Sequence, residues 1–253
     1  MNKEETLLLN KLKEKANRAG YRNSIEYTNF LDLNEQEIFK WNQKEFNNVK
    51  YDFYGGNPEA ERKLICFYNS DISTDIKETC DYPVSILKIT NNSTQKCSHR
   101  DYLGAVLNLG ITRDLIGDII VIDNSAYLYC MEHISEFICD NLFQVKNCSI
   151  MISKAPKEDM LYIKPEYILI KGSVSSLRID SIIKLAFSMS RTNSQALILS
   201  KKVFLNSKLV EKIYQQATLN DIISVRGFGK CKISKIGELT KKSRIMVEIY
   251  YYK

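Results

Sequence analysis

The sequence predicts an α+β protein in three parts: an N-terminal α/β segment over residues 1–76, a middle domain over 77–171 and a small C-terminal domain over 172–253. Three observations predict it. Runs of helical period alternate with short apolar runs of strand length along the chain. From Val84 to Ser153 these runs follow the order strand, helix, strand, strand, helix, strand. Charge then divides the chain. From Ser173 to Lys253 there are 15 Lys and Arg against 5 Asp and Glu, a balance of +10. Residues 1–172 hold 21 against 25, a balance of −4. A basic third on a slightly acidic body points to nucleic acid or an anionic membrane surface.

The first twenty residues, MNKEETLLLNKLKEKANRAG, set acids beside leucines and read as an amphipathic helix, not a signal peptide. No apolar run reaches the roughly 18 residues of a membrane span, so a cytoplasmic protein is expected. Asp32 with Glu35 predicts a capping box, with Ile38, Phe39, Trp41 and Phe46 along one stripe of the following helix. A Gly55-Gly56-Asn57-Pro58 turn precedes a buried strand, LICFY, at 64–68. The polar stretch ending at Pro83 gives the first boundary, near 77.

The middle domain opens with the strand VSILKIT. HRDYLGAVLNLG is a helix with Leu103, Val106 and Leu107 on one face and Gly110 at its end. IGDIIVID and AYLYCM turn at Asp123-Asn124-Ser125, EHISEFICDNLF is the second helix and CSIMIS the last strand. That βαββαβ order predicts a ferredoxin-like sandwich, the architecture of RNA-recognition (RRM) domains and of many unrelated ones. The aromatic signature of RNA-recognition domains is absent.

In the basic third, Ser176 is expected to cap a helix whose apolar face is Ile179, Ile182, Ile183, Ala186 and Phe187, with Arg178, Ser181, Lys184 and Ser188 opposite. Ser190 caps a second helix holding Ala196, Leu197 and Leu199. A strand turning at Asn206-Ser207, the strand NDIISV, the loop RGFGK and a final strand IMVEIYYYK follow. Arg178 and Arg191 each fall at a helix start, where a cation opposes the macrodipole by about 0.3–1 kcal/mol. A phosphate bound at those free backbone N–H groups would reverse the mismatch. The two arginines are expected to face away from the core, so that replacing both by alanine spares the fold.

LRID (177–180), SRTNSQALI (190–198), VFLN (203–206) and NDIISVRG (220–227), as a sequential set, resemble the S-four RNA-binding fold, named for a small-subunit ribosomal protein. The resemblance expects glycine where Lys201, Ser207 and Asn220 stand. It implies an RNA-facing surface at Arg178, Ser190, Arg191 and Thr192, extended by Lys201, Lys202, Lys208, Arg226 and Lys230. FYGG (53–56), AERK (60–63), HRDYLGAVLNLGITRDLIGDI (99–119) and RGFGK together resemble the YlmH-type bacterial proteins over nearly the full chain. That resemblance implies a monomer that binds large-subunit ribosomal RNA and peptidyl-tRNA on the ribosome, in rescue of stalled translation. The family also carries a cell-division label.

Enzymatic readings are weaker. Seven scattered cysteines without a C-x-x-C form neither a disulfide framework nor a zinc site, and no metal or cofactor is expected. Arg178-Ile179-Asp180 mimics the catalytic motif of pseudouridine synthases, but it falls inside a predicted helix of the binding domain. Gly55-Gly56 before Pro58 is not a nucleotide loop. His99 with Asp101 suggests a helix start before it suggests acid–base chemistry. Lys241, Lys242 and Arg244 with Tyr250–Tyr252 leave a membrane-associated division scaffold as a further class. A non-catalytic RNA binder is the reading preferred.

Overall fold

The structure, a computed structural model, describes residues 3–22, 24–69, 82–156 and 163–252. It divides into two compact units, Met1–Pro165 and Glu166–Lys253. The boundary expected near 77 lies outside the described residues. The boundary expected at 171/172 falls inside a strand.

In the first unit, helix α1 (Lys3–Arg22) buries Leu9, Leu12, Ala16 and Ala19 at helical spacing. Strands β1 (Glu26–Tyr27), β2 (Lys50–Tyr54) and β3 (Leu64–Tyr68) form an antiparallel sheet in the order β1-β3-β2. Helix α2 (Leu33–Trp41) starts at the capping box its sequence announces. The Glu35 amide donates to Asp32 Oδ1 at 2.9 Å and the Asp32 amide to Glu35 Oε2 at 2.7 Å. Ile38, Phe39 and Phe46 are buried, but Trp41 is 69% exposed, off the stripe expected of it.

The middle of the chain supplies β4 (Val84–Asn91), α3 (His99–Leu107), β5 (Ile116–Ile122), β6 (Ser125–Met131), α4 (Ser135–Asn141), β7 (Gln144–Val145) and β8 (Cys148–Lys154). Their sheet runs β5-β6-β4-β8-β7, all antiparallel. The βαββαβ strands thus take the ferredoxin-like order, with the first and third central. Alternation along each strand sorts the side chains into two faces. Leu87, Ile89, Ala126, Leu128 and Cys130 meet Tyr102 and Val106 of α3 and Ile138 of α4. Val84, Ile86, Ile120, Tyr129 and Met131 face the other way, into a second core with Phe30, Leu64 and Cys66 of the N-terminal segment.

The family-like motifs FYGG, AERK and TRDLIGD join these two layers. Asp118 accepts from the Glu61 and Arg62 amides at 2.7 and 3.1 Å. The Arg62 guanidinium donates to the carbonyls of Ile116 at 2.9 Å and Phe30 at 3.0 Å. Gly56 sits at φ +89°, where a Cβ would lie 2.4 Å from the buried Tyr129 ring.

The second unit opens with β9 (Tyr167–Val174), which pairs along its whole length with β14 (Ile245–Tyr252). This pairing places the unit's start at Glu166, ahead of the expected boundary. Helices α5 (Ile179–Ala186) and α6 (Arg191–Leu199) follow, then β10 (Val203–Leu205), β11 (Lys208–Leu209), β12 (Ile222–Val225) and β13 (Gly229–Leu239). The sheet order is β11-β10-β12-β13-β14-β9. Ile179, Ile182, Ile183 and Ala186 pack with Ile198 on Val203, Ile223, Ile233 and Val247.

Two expectations for this unit fail. Ser176 does not cap α5. The chain there is held extended, because the Ala217 amide donates to Leu177 O at 2.8 Å and the Ile179 amide to Gln215 O at 2.9 Å. The N-cap position therefore falls on Arg178. In α6 the core residue is Ile198, with Ser194, whereas Ala196 and Leu199 are exposed. Lys201, Ser207 and Asn220, the three positions where the S-four pattern expects glycine, all take positive φ, at 57°, 67° and 69°.

Gly56→Ala should destabilise the protein by at least about 2 kcal/mol through overlap with Tyr129 and backbone strain, read as a lower urea midpoint at unchanged slope. Ser207→Gly, at an exposed left-handed turn position, should raise stability by up to about 1 kcal/mol in the same titration.

Candidate nucleic-acid interface

Asp180 is fully buried, at 0% exposure, one residue into α5. Burial pushes its carboxyl up, but bonds from Gln195, Arg178 and Arg191 outweigh this and hold it below the ordinary carboxylate value. Arg178 forks onto it, Nε to Oδ1 and Nη2 to Oδ2, both at 3.0 Å. Arg191 Nε reaches Oδ2 at 3.0 Å and the Gln195 amide nitrogen reaches it at 2.9 Å. Both acceptor oxygens are thus occupied by donors from the starts of two helices.

The arginines at the two helix starts are therefore not free of the core. Each neutralises a buried carboxylate, so the expectation that both are dispensable for folding is reversed. Their charge exceeds what Asp180 consumes. Arg178 uses two of its nitrogens and Arg191 one. With five N–H donors apiece, both keep donors for a second anion, and the Arg191 side chain is 51% exposed.

Arg191 also lines a cavity of about 520 Å³ together with Lys184, Arg244 and the serines at 173, 181 and 188. Arg244 is tied in place by bonds to Ser173, one to Oγ at 2.9 Å and one to its carbonyl. No carboxylate lines the cavity. Three cations and several hydroxyls around a concavity are the chemistry of an anion site. Sequence reading missed Lys184 and Arg244 as interface residues. Lys184 was legible as the polar face of α5, whereas Arg244, on the hairpin joining β13 and β14, reads in the sequence only as part of a candidate membrane contact.

The other candidates divide by position. Ser190 Oγ caps α6, accepting from the Asn193 amide at 3.1 Å, and Thr192 is exposed beside it. Lys201 and Lys202 lie past the far end of α6, about 14 Å from Arg191 at 1.5 Å per residue. There the Arg226 amide donates to Lys202 O at 2.9 Å, which brings these cations together. The Arg226 guanidinium lies 4.8 Å over the Phe204 ring and Lys230 Nζ 4.8 Å over Tyr252. Phe228, between them in the loop, is 48% exposed. Lys208 is exposed on the edge strand β11. The nine residues thus lie at the starts of α5 and α6, past the far end of α6, at the β12–β13 turn and on the edge strand β11.

Both carboxylates that the sequence offered for catalysis are engaged in structural bonds. Asp180, which stands in the pseudouridine-synthase-like triplet, is buried and saturated with donors. Asp101 serves the start of α3, accepting from the Ser98 amide at 2.8 Å and hydroxyl at 2.6 Å and from Lys146 Nζ at 2.9 Å. Among the described residues six cysteines are free thiols, and burial pushes those of Cys130 and Cys231 up to about 12.

By fold and surface the chain is a two-unit α+β protein whose C-terminal unit carries a basic, carboxylate-free cavity. Residues 77–159 match the family described as "Putative RNA-binding domain in YlmH". The ribosome-associated protein quality control protein P2 of Bacillus subtilis (strain 168) is 28% identical over 221 residues, 87% of this chain and 84% of that protein. The solved structure of the cell division protein ylmH from Streptococcus pneumoniae is similar in fold, with a TM-score of 0.51 at 19% identity over 64% of this chain and 96% of that one. Residues 77–159 thus match a YlmH-type RNA-binding domain, and the chain is similar to these two proteins over most of its length.

Replacing Arg178 and Arg191 together by alanine should cost about 3 kcal/mol of stability, because it strands a buried carboxylate. Asp180 contributes stability above its unfolded value near 4, and that contribution is lost as pH falls through its lower folded value. Urea unfolding from pH 7 to 2 should therefore show a falling limb that Asp180→Asn flattens.

Proposed function

We propose that this protein is a non-catalytic RNA-binding, ribosome-associated factor of translational quality control. In this reading the C-terminal unit is an S-four-type module that grips large-subunit ribosomal RNA and peptidyl-tRNA in the cytoplasm, and the protein acts as a monomer. The observation that carries it is the cavity shared by Lys184, Arg191 and Arg244, with no acid in its lining. Such a site favours phosphate oxygens over any neutral ligand. Two further supports are the similarity to a protein named for ribosome-associated quality control and the family description of residues 77–159. The balance of +10 from Ser173 onward supplies the long-range attraction.

Phosphate binding releases counterions, so affinity falls steeply with salt. If about four phosphates are neutralised, co-sedimentation with purified large ribosomal subunits should weaken roughly a hundredfold between about 50 and 200 mM salt. Lys184→Ala with Arg244→Ala should lower both the affinity and the salt slope at unchanged melting temperature. Absence of binding at low salt, with stalled ribosomes supplied, would refute the reading.

A further inference from the structure

The long motif at 99–119 does two jobs, and packing explains only one. Its second half clamps the N-terminal segment through Asp118 and the Ile116 carbonyl. Its first half sets Arg100, Gly104 and Asn108 four residues apart, along one face of α3 and its C-cap. All three line a groove of about 740 Å³, whose other wall is Asn141, Phe143, Gln144 and Lys146 from the end of α4 and the β7 hairpin.

Gly104 is the telling residue. It lies inside a helix, where alanine is the better former, and nothing lies within 4 Å of where its Cβ would be. The fold itself therefore gives no reason for a glycine. A body approaching the helix backbone does. Across the groove Phe143 is 68% exposed, an aromatic ring left in water. Asn141 and Gln144 donate to the carbonyls of Phe137 and Lys146, which fixes both amides and leaves their side-chain oxygens as acceptors. Arg100 is exposed and has no ion-pair partner among the described residues, and Lys146 shares its charge with Asp101.

A bare aromatic, fixed amides and a cation beside an open helix face suit an unstacked nucleotide: base on ring, base edge on amides, phosphate on guanidinium. The sheet face that RNA-recognition domains use for stacking is closed at one end here, because Ile86, Tyr129 and Met131 are packed under Phe30 and Leu64. We propose that the groove between α3 and the β7 hairpin is a second RNA contact, which takes one unpaired nucleotide on Phe143 and Arg100. This inference rests on the RNA-binding reading above.

The experiment is co-sedimentation of the full chain with purified large ribosomal subunits, with ultraviolet crosslinking and mass spectrometry of the crosslinked peptides. Phe143→Ala should lower affinity about tenfold with melting temperature unchanged, and Arg100→Ala should act in the same direction. Gly104→Ala should raise the melting temperature, while Gly104→Glu should lose affinity without unfolding. A nucleotide adduct should map to the peptide containing Phe143. Wild-type affinity in Phe143→Ala and Gly104→Glu, with adducts confined to the C-terminal unit, would overturn this inference and leave the RNA-binding reading standing. Crosslinks from the groove to a ribosomal protein alone would overturn it too. No binding by the wild-type chain would overturn both.

Discussion

A single buried carboxylate organises the C-terminal unit. Asp180 could not remain charged at zero exposure without donors, and it draws them from two helix starts and from Gln195. The cost of burying it fixes where Arg178 and Arg191 stand. The cavity lined by Arg191, Lys184 and Arg244 is then held to one geometry, because Arg191 is anchored at Nε and presents its remaining nitrogens. An anion site built this way is preorganised, so less side-chain freedom is lost when a phosphate arrives. Arg244 gains the same advantage from its two bonds to Ser173.

The first unit depends on a different constraint. A ferredoxin-like sheet with helices on one face leaves the other face to be covered or used. Here the N-terminal segment covers one end of it, with Phe30, Leu64 and Cys66 over Ile86, Tyr129 and Met131. The Gly-Gly turn lets the chain lie against Tyr129, and Arg62 with Asp118 locks the layers by bonds to backbone groups. The FYGG and AERK motifs are thus packing devices. Within the following motif, Tyr102 and Val106 are packed and only the face of α3 carrying Arg100, Gly104 and Asn108 is left without a structural task.

The local signals were legible. Asp32 with Glu35, Ser190 before α6, the Asn206-Ser207 turn and the βαββαβ order each follow from residues a few positions apart, and each forms as expected. Trp41 and Ser176 were misread for one reason: periodicity says where a stripe or a cap can fall, not where neighbours close over it. The extended backbone that moves the start of α5 to Arg178 is set by residues 215–217. Leu199 and Ala196 fit a helical stripe equally well, yet the core beneath α6 buries Ile198 and, in part, Leu197. Of the candidate interface, residue type and charge were visible, but the placement of its residues at opposite ends of α6 was not.

By itself the sequence determined the α+β class, the order of elements, most helix boundaries and the concentration of positive charge after Ser173. These are properties of composition and of short-range spacing, and each can be computed from residues within one turn or one strand. Tertiary structure alone decided that Asp180 is buried between two arginines, that Arg244 joins Lys184 at one cavity, that β9 belongs to the second unit, and that Gly104 faces open space. The physical reason is that burial and ion pairing are set by whichever chain segment arrives from a distance. Arg191 and Arg244 become one site only when helices and hairpin fold onto the same core.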